Sequence, residues 1–212
     1  SRSGKAEGIT IIKFGGSLAL QQQPQCAAWL DALAVSSSPL ILVPGGGPFS
    51  DQVRRAQALM RFDDRSAHRM ALLAMAQFGL ALAAHRPLFI PAQSHEEINQ
   101  ALEQKKIPVW LPESMVLAAP EVPQSWEMTS DSLAAWLAGV MAAPRLLLIK
   151  SCDIEAGTSV QQLVAEKIVD PLFASFAASS GAEVWLAGPA ALADAARRLQ
   201  SGQMPGINLP LS

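Results

Sequence analysis

Two short apolar runs, each stopped by a cluster of glycines, constrain this chain more than any other feature. Gly8–Phe14 (GITIIKF) ends on Gly15-Gly16, and Pro39–Val43 (PLILV) ends on Pro44-Gly45-Gly46-Gly47-Pro48. Short runs rich in apolar and β-branched residues predict strands. Helical-period segments follow them, at Pro24–Val35 and Pro48–Met60. The alternation continues. A long, mostly buried helix is expected over Ser66–Ala84, and short strands at Pro87–Ile90 and Ile107–Leu111 flank a polar helix near His95–Lys105. Thr129–Ala142 reads as a helix and Arg145–Lys150 as a strand. Ser159–Phe176 is mostly helical, Glu183–Ala187 a strand and Pro189–Gln200 a helix. Strands separated by helices of this length imply βαβ units, hence an α/β fold with a mainly parallel sheet covered on both faces. The Pro-rich stretch 108–123 is expected to be extended chain, a lobe boundary or lid, because X-Pro steps disfavour helix.

Composition narrows the function classes. The chain has 212 residues, 50% hydrophobic and 16% charged, which excludes wholesale disorder. Net charge is −2, with no basic run, so a general nucleic-acid binder is not expected. Ala71–Ala84 is interrupted by Gln77 and Gly79, so no membrane span is predicted. Ser1–Glu7 lacks the apolar core of a signal peptide. The two cysteines, Cys26 and Cys152, make neither a disulfide framework nor a zinc set; a cytoplasmic location is expected.

The chemistry-bearing residues fall at the ends of expected strands. Lys13-Phe14-Gly15-Gly16-Ser17 closes the first. Open α/β sheets hold ligands there, and glycine lets backbone amides approach phosphate oxygens. A lysine nearby supplies a point cation for a transferring phosphoryl group, although a surface lysine on a plain turn explains it equally well. The Gly45-Gly46-Gly47 triplet leads into Pro48, a helix first-turn residue, and so makes an anion site of free amides and helix dipole. Two such turns on successive strands are much harder to explain as structure alone. Thr129-Ser130-Asp131-Ser132 opens a helix, so one of these side chains should cap it. Asp131 could also hold two phosphate-binding lysines in place. Lys150-Ser151-Cys152-Asp153 ends another strand; Lys150 is either a solvated strand end or a phosphate contact. No P-loop, dinucleotide, zinc-protease or nucleophile-elbow motif occurs.

In order and spacing, KFGGS (13–17), VPGGGPFSDQVR (43–54), TSDSLAAWLAG (129–139) and LLLIKSCD (146–153) resemble the amino acid kinase superfamily, over most of the chain up to about Gly188. PGGGPFSDQVR, followed by Ser66-Ala67-His68-Arg69-Met70-Ala71 and TSDS, is most similar to the 5-(aminomethyl)-3-furanmethanol phosphate kinases of methylofuran biosynthesis. The resemblance implies a three-layer αβα sandwich over residues 8–212, with an acceptor lobe (8–125) and a nucleotide lobe (126–212). It implies ATP and Mg²⁺, phosphoryl transfer to a small phosphorylated acceptor, and a homo-oligomer. Lys13, Asp131 and Lys150 would be catalytic. Gly15, Gly16, Ser17, Gly45, Gly46 and Gly47 would cradle phosphates, and Ser130, Lys150 and Asp153 would touch the nucleotide. Asp51 and Arg54 would read the acceptor, unless they are a solvated helix face. His68 reads first as a satisfied core histidine and second as a base.

The sequence also departs from that family. Pro44 stands where many members have a histidine, which weakens an isopentenyl phosphate kinase reading. Gly202–Asn208 lacks a late lysine, and Glu155-Ala156-Gly157 replaces the usual Asp-Gly turn. Two alternatives therefore stay open: a non-catalytic nucleotide- or anion-binding subunit on the same fold, and a kinase for a nucleoside monophosphate or a carboxylate. Five tryptophans, at 29, 110, 126, 136 and 185, exceed what one small core easily buries, so one or two are expected at an interface or over a ligand.

Overall fold

A computed structural model describes residues 8–18 and 23–211, and the expectation about Ser1–Glu7 lies outside them. Among the described residues seven strands form one sheet: β1 (Thr10–Phe14), β2 (Leu40–Pro44), β3 (Phe89–Ala92), β4 (Ile107–Trp110), β5 (Arg145–Ile149), β6 (Glu183–Ala187) and β7 (Ile207–Leu209). Their spatial order is β3-β4-β2-β1-β5-β6-β7. All pairings are parallel except β6–β7. The helices are α1 (Gln23–Ala34), α2 (Gly47–Met60), α3 (Asp64–Ala83), α4 (His95–Glu103), α5 (Glu113–Leu117), α6 (Ser130–Val140), α7 (Val160–Ala165), α8 (Phe173–Ser180) and α9 (Leu192–Gln200). The expected α/β class and mainly parallel sheet are what the structure has.

Strand parity divides the core into two layers. On β1, Ile11 packs into one layer and Ile12 and Phe14 into the other. On β5, Leu146 and Leu148 join the first, and Leu147 and Ile149 the second. α6 lies on the first face through Leu133 and Leu137, and α1 on the second through Trp29 and Leu33. Side chains alternate along a strand, so Lys13 falls on the face of Ile11. Continuing the β5 alternation puts Lys150 on the same side. The register pairs Phe14 with Ile149, which sets both lysines at one sheet edge.

From β1 the chain steps to β2, goes on to the edge strand β3, fills in β4 between them, then crosses to β5 on the other flank of β1. The carboxyl ends of β2, β1 and β5 thus surround the point where strand order reverses, the place where open α/β sheets hold ligands.

Stretch 108–123 differs from the expected extended lid. Pro108 sits inside β4 opposite Ile90, Val109 is fully buried, and α5 follows. Pro108 costs the strand one amide donor, yet the hydrophobic register at Val109 and Trp110 prevails. β7 and α5 are too short for a periodic signal and were not expected.

Candidate functional site

The two glycine turns meet at the carboxyl ends of β1 and β2. A Cβ on Gly16 would collide with the backbone of Gly47, and one on Gly45 would come within 2.7 Å of the Gly16 nitrogen. Only glycine allows that approach. The amides of Gly15 and Gly45 are taken up in the sheet, donating to Ile149 O at 3.2 Å and Phe14 O at 2.8 Å. No described residue accepts from the amides of Gly16, Gly46 and Gly47. Pro48 stands in the first turn of α2, as its ring geometry favours. Beside these turns lies a cleft of about 260 Å³ lined by Gly16, Ser17, Gly45, Gly46, Gly47, Ser50, Asp51 and Ser130.

Three buried charges sit at the same sheet edge. Lys13 Nζ is 3.0 Å from Asp131 Oδ1. Lys150 Nζ lies 2.9 Å from Asp131 Oδ1 and 2.8 Å from Oδ2, and also donates to the carbonyl of Ile168. None of the three is more than 8% exposed. Burial alone would push the Asp131 carboxyl up; the two ammonium groups outweigh it and hold the carboxyl below the usual range. Burial, with the like charge of Lys13, pushes Lys150 down to about 8 against the pull of Asp131. An ammonium carries three donors. Lys150 has an acceptor for each of its three, while Lys13 meets only Asp131 among the described residues and has two donors to spare.

Asp131 is aimed by α6, whose start is not capped by its own residues. Thr129 makes no side-chain cap. Asp170, from the turn before α8, accepts from Thr129 N at 2.9 Å, Thr129 Oγ1 at 2.8 Å, Ser132 N at 3.0 Å and the Ser132 hydroxyl. This replaces the expected local cap: Thr129 and Ser132 serve as donors and a carboxylate 38 residues on does the capping. Burial raises the Asp170 carboxyl, and these hydrogen bonds only partly offset it. Nothing in the sequence pairs Asp170 with residue 132.

A second cavity, about 140 Å³, adjoins the cleft through Gly46, Ser50 and Ser130. Leu72, Met75, Met128 and Leu133 line it, with Arg54, Trp126 and His68. The Arg54 guanidinium stacks 4.4 Å from the Trp126 ring centroid, and Gln57 Oε1 accepts from Trp126 Nε1 at 2.7 Å. Trp126 was legible only as one tryptophan too many for the core. Trp29 and Trp110 are fully buried, whereas Trp126 is half-buried over this cavity.

The expected site residues distribute as follows. The glycines, Ser17, Asp51 and Ser130 share the cleft; Arg54 lines the adjoining cavity; Lys13, Lys150 and Asp131 form the charged cluster. Asp153 is exposed at the end of β5, and its carboxylate accepts from Ala190 N at 2.9 Å, holding the turn after β6. His68 is buried, but it is not the satisfied core histidine expected first, since its Nε2 has no partner among the described residues.

Residues 8–154 match the amino acid kinase family. The [5-(aminomethyl)furan-3-yl]methyl phosphate kinase of Methanocaldococcus jannaschii is 25% identical over 149 residues, 68% of this chain; the match spans just under two thirds of that protein, 66%. In fold the chain is similar to uridylate kinase from Archaeoglobus fulgidus, with a TM-score of 0.72 at 14% identity over 95% of this chain and 99% of that one. It is also similar to an isopentenyl phosphate kinase, with a TM-score of 0.62 at 15% identity over 95% and 100%. With its paired glycine turns and lysine–aspartate cluster inside the matched segment, the chain belongs to the amino acid kinase family.

Proposed function

We propose that this chain is an ATP-dependent phosphotransferase that uses Mg²⁺, acts on the phosphate of a small single-ring monoester, and takes 5-(aminomethyl)-3-furanmethanol phosphate as its acceptor. The observation that carries the reading is one buried carboxylate, Asp131, holding two lysines beside a pair of abutting glycine turns. A neutral scaffold has no use for two desolvated ammonium groups, whose burial is costly unless they meet an anion.

The free amides of Gly16, Gly46 and Gly47, with the start of α2, bind the phosphate oxygens. Lys13 has spare donors and turns them to the transferring group. Lys150 keeps its three acceptors and contributes charge and the orientation of Asp131; it thereby covers for the absent late lysine. An acceptor phosphate oxygen, anionic near neutral pH, attacks the γ-phosphorus in line. The new P–O bond forms as the bond to the β-phosphate oxygen breaks, giving ADP and a diphosphate, and no general base is needed. Positioning and charge neutralisation are what such a transfer requires. Among the described residues no group of three acids, histidines or cysteines could hold a metal. Bound Mg²⁺ would therefore rest mainly on the nucleotide phosphates and supply further charge neutralisation.

Cavity size argues for the acceptor. A site of about 140 Å³ matches a benzene-sized ring, since an engineered cavity of about 150 Å³ binds benzene. A furan ring is of that size, which supports the likeness to the Methanocaldococcus enzyme. Residues 8–125 and 126–212 would serve as acceptor and nucleotide lobes, with Ser130 and Asp153 on the nucleotide side. Met70, Leu73 and Leu80 leave an apolar stripe 37–51% exposed on α3, which fits the proposed homo-oligomer. No described helix is long and apolar enough to cross a membrane, and neither cysteine is bonded, which suits a cytoplasmic location. The reading is tested by offering ATP, Mg²⁺ and the furan phosphate, isopentenyl phosphate or UMP in parallel. ADP release is expected to be fastest with the furan phosphate; release with UMP alone would move the chain to the nucleotide kinases.

A further inference from the structure

Trp126 is held at the acceptor cavity by one side chain, Gln57. The loop between α5 and α6 brings Trp126 there without regular structure of its own. Its ring packs against Val53 of α2 and Ala67 and Ala74 of α3, a small apolar cluster apart from the two core layers. Among the described residues the indole makes one hydrogen bond, from Nε1 to Gln57 Oε1 at 2.7 Å. Gln57 is itself fixed. Its Nε2 donates to Phe62 O at 3.2 Å and to Asp64 Oδ1 at 2.8 Å. Turning the amide over would set its oxygen against two acceptors and its nitrogen against the indole donor, so only one orientation satisfies all three bonds.

Arg54 completes the arrangement. Its guanidinium lies 4.4 Å from the Trp126 ring centroid, and no described residue forms a salt bridge or hydrogen bond with it. A guanidinium stacked on a ring uses its face and keeps the N–H donors at its edge free. Arg54 is also the one permanent cation among the described residues that line the cavity. Ser50, four residues back on the same face of α2, lines both this cavity and the glycine cleft. Arg54 therefore sits one helical turn from the place where acceptor phosphate and glycine turns must meet. An unrestrained arginine would lose its rotamer freedom on gripping an anion; stacking removes part of that cost beforehand.

We propose that Gln57 is a positioning residue for the acceptor: it fixes the Trp126 indole, the indole holds the Arg54 guanidinium beside the cavity, and Arg54 grips the phosphate of the monoester. This rests on the acceptor reading above and deepens it. Gln57 itself touches no substrate. A role confined to tying the turn between α2 and α3, through Phe62 and Asp64, would support the fold but leave acceptor affinity alone.

The test is calorimetric titration of the whole protein with 5-(aminomethyl)-3-furanmethanol phosphate in the absence of ATP. Gln57→Leu should weaken binding about tenfold, the size of one lost hydrogen bond, and Trp126→Phe should do the same. The double variant should be no weaker than either single one, because both changes delete the same contact. Arg54→Ala should weaken binding more, and Gln57→Leu should add nothing in that background. In turnover, KM for the acceptor should rise with the dissociation constant, while kcat and KM for ATP change little. Trp126→Phe leaves the bonds to Phe62 and Asp64 in place, so it decides the question if Gln57→Leu does not fold. A lower Tm with unchanged affinity, additive losses in the double variant, or no binding of the furan phosphate by the wild type overturns the inference. If the acceptor binds with the expected pattern but no ADP is released, the kinase reading fails and the positioning role stands. Turnover with a KM that neither variant moves gives the reverse.

Discussion

Lys150 gives its ammonium to both oxygens of Asp131, at 2.9 and 2.8 Å, on a carboxylate that Lys13 also reaches at 3.0 Å. Two cations on one anion leave a surplus positive charge in a nearly dry place. Such an arrangement is poor as a structural ion pair and well matched to a ligand that arrives with negative charge.

Asp131→Asn should therefore be among the most destabilising single changes outside the core. It leaves two buried ammonium groups facing each other, and breaking a buried pair in this way costs about 3–5 kcal/mol. Urea denaturation of the ligand-free protein measures it. A change under about 1 kcal/mol would mean that the cluster is far more hydrated than its burial implies.

Lys13 and Lys150 should differ in what they contribute. Lys13→Ala removes the ammonium with donors to spare and should lower kcat by about 10²–10³, the effect of deleting a preorganised donor. Lys150→Ala should cost less in kcat, because its protons are already engaged by Asp131 and Ile168. Equal losses, or a larger one at Lys150, would reverse the assigned roles.

Lys150 also makes a pH prediction with two opposite signs. Its folded pKa is near 8, against an ordinary value of 10.5. Between those values the unfolded chain holds a proton that the folded one has released, so this group makes stability rise with pH across that window. Catalysis should move the other way: kcat/KM should fall above about pH 8 as the site loses a charge. Lys150→Arg, which stays charged, should flatten that limb of the profile.

Asp170 should act at a distance. Asp170→Asn keeps the shape but loses acceptor capacity toward Thr129 and Ser132, and should lower stability by about 1–3 kcal/mol. KM for the acceptor should rise as well, because Thr129 and Ser130 line its cavity. Thermal denaturation and steady-state kinetics check both.

Most of the sheet was legible because buried parallel strands are short apolar runs closed by glycine or proline, as at Ile11–Gly16 and Leu40–Gly47. The lysine–aspartate cluster was half legible. Strand ends and spacing pointed to Lys13, Asp131 and Lys150, and strand parity explains why both lysines face α6. The cap on that helix was not legible, because Asp170 reaches it only after the chain has folded through β5 and α7. Proline misled at 108–123, where the extended chain is not a lid but a strand with Val109 and Trp110 buried in the sheet, followed by the short helix α5. His68 was weighed as a packed core residue, since an apolar helix face does not announce that one ring nitrogen is left unpaired.

The most direct measurement is a ³¹P NMR time course of wild-type protein with ATP, Mg²⁺ and 5-(aminomethyl)-3-furanmethanol phosphate, run beside Lys13→Ala. The account predicts that the monoester and γ-phosphate signals decline together while ADP and a new diphosphate appear, and that the variant slows this at least about a hundredfold. Unchanged ATP in the wild-type sample with the furan phosphate, isopentenyl phosphate and UMP alike, or undiminished turnover by Lys13→Ala, would contradict it.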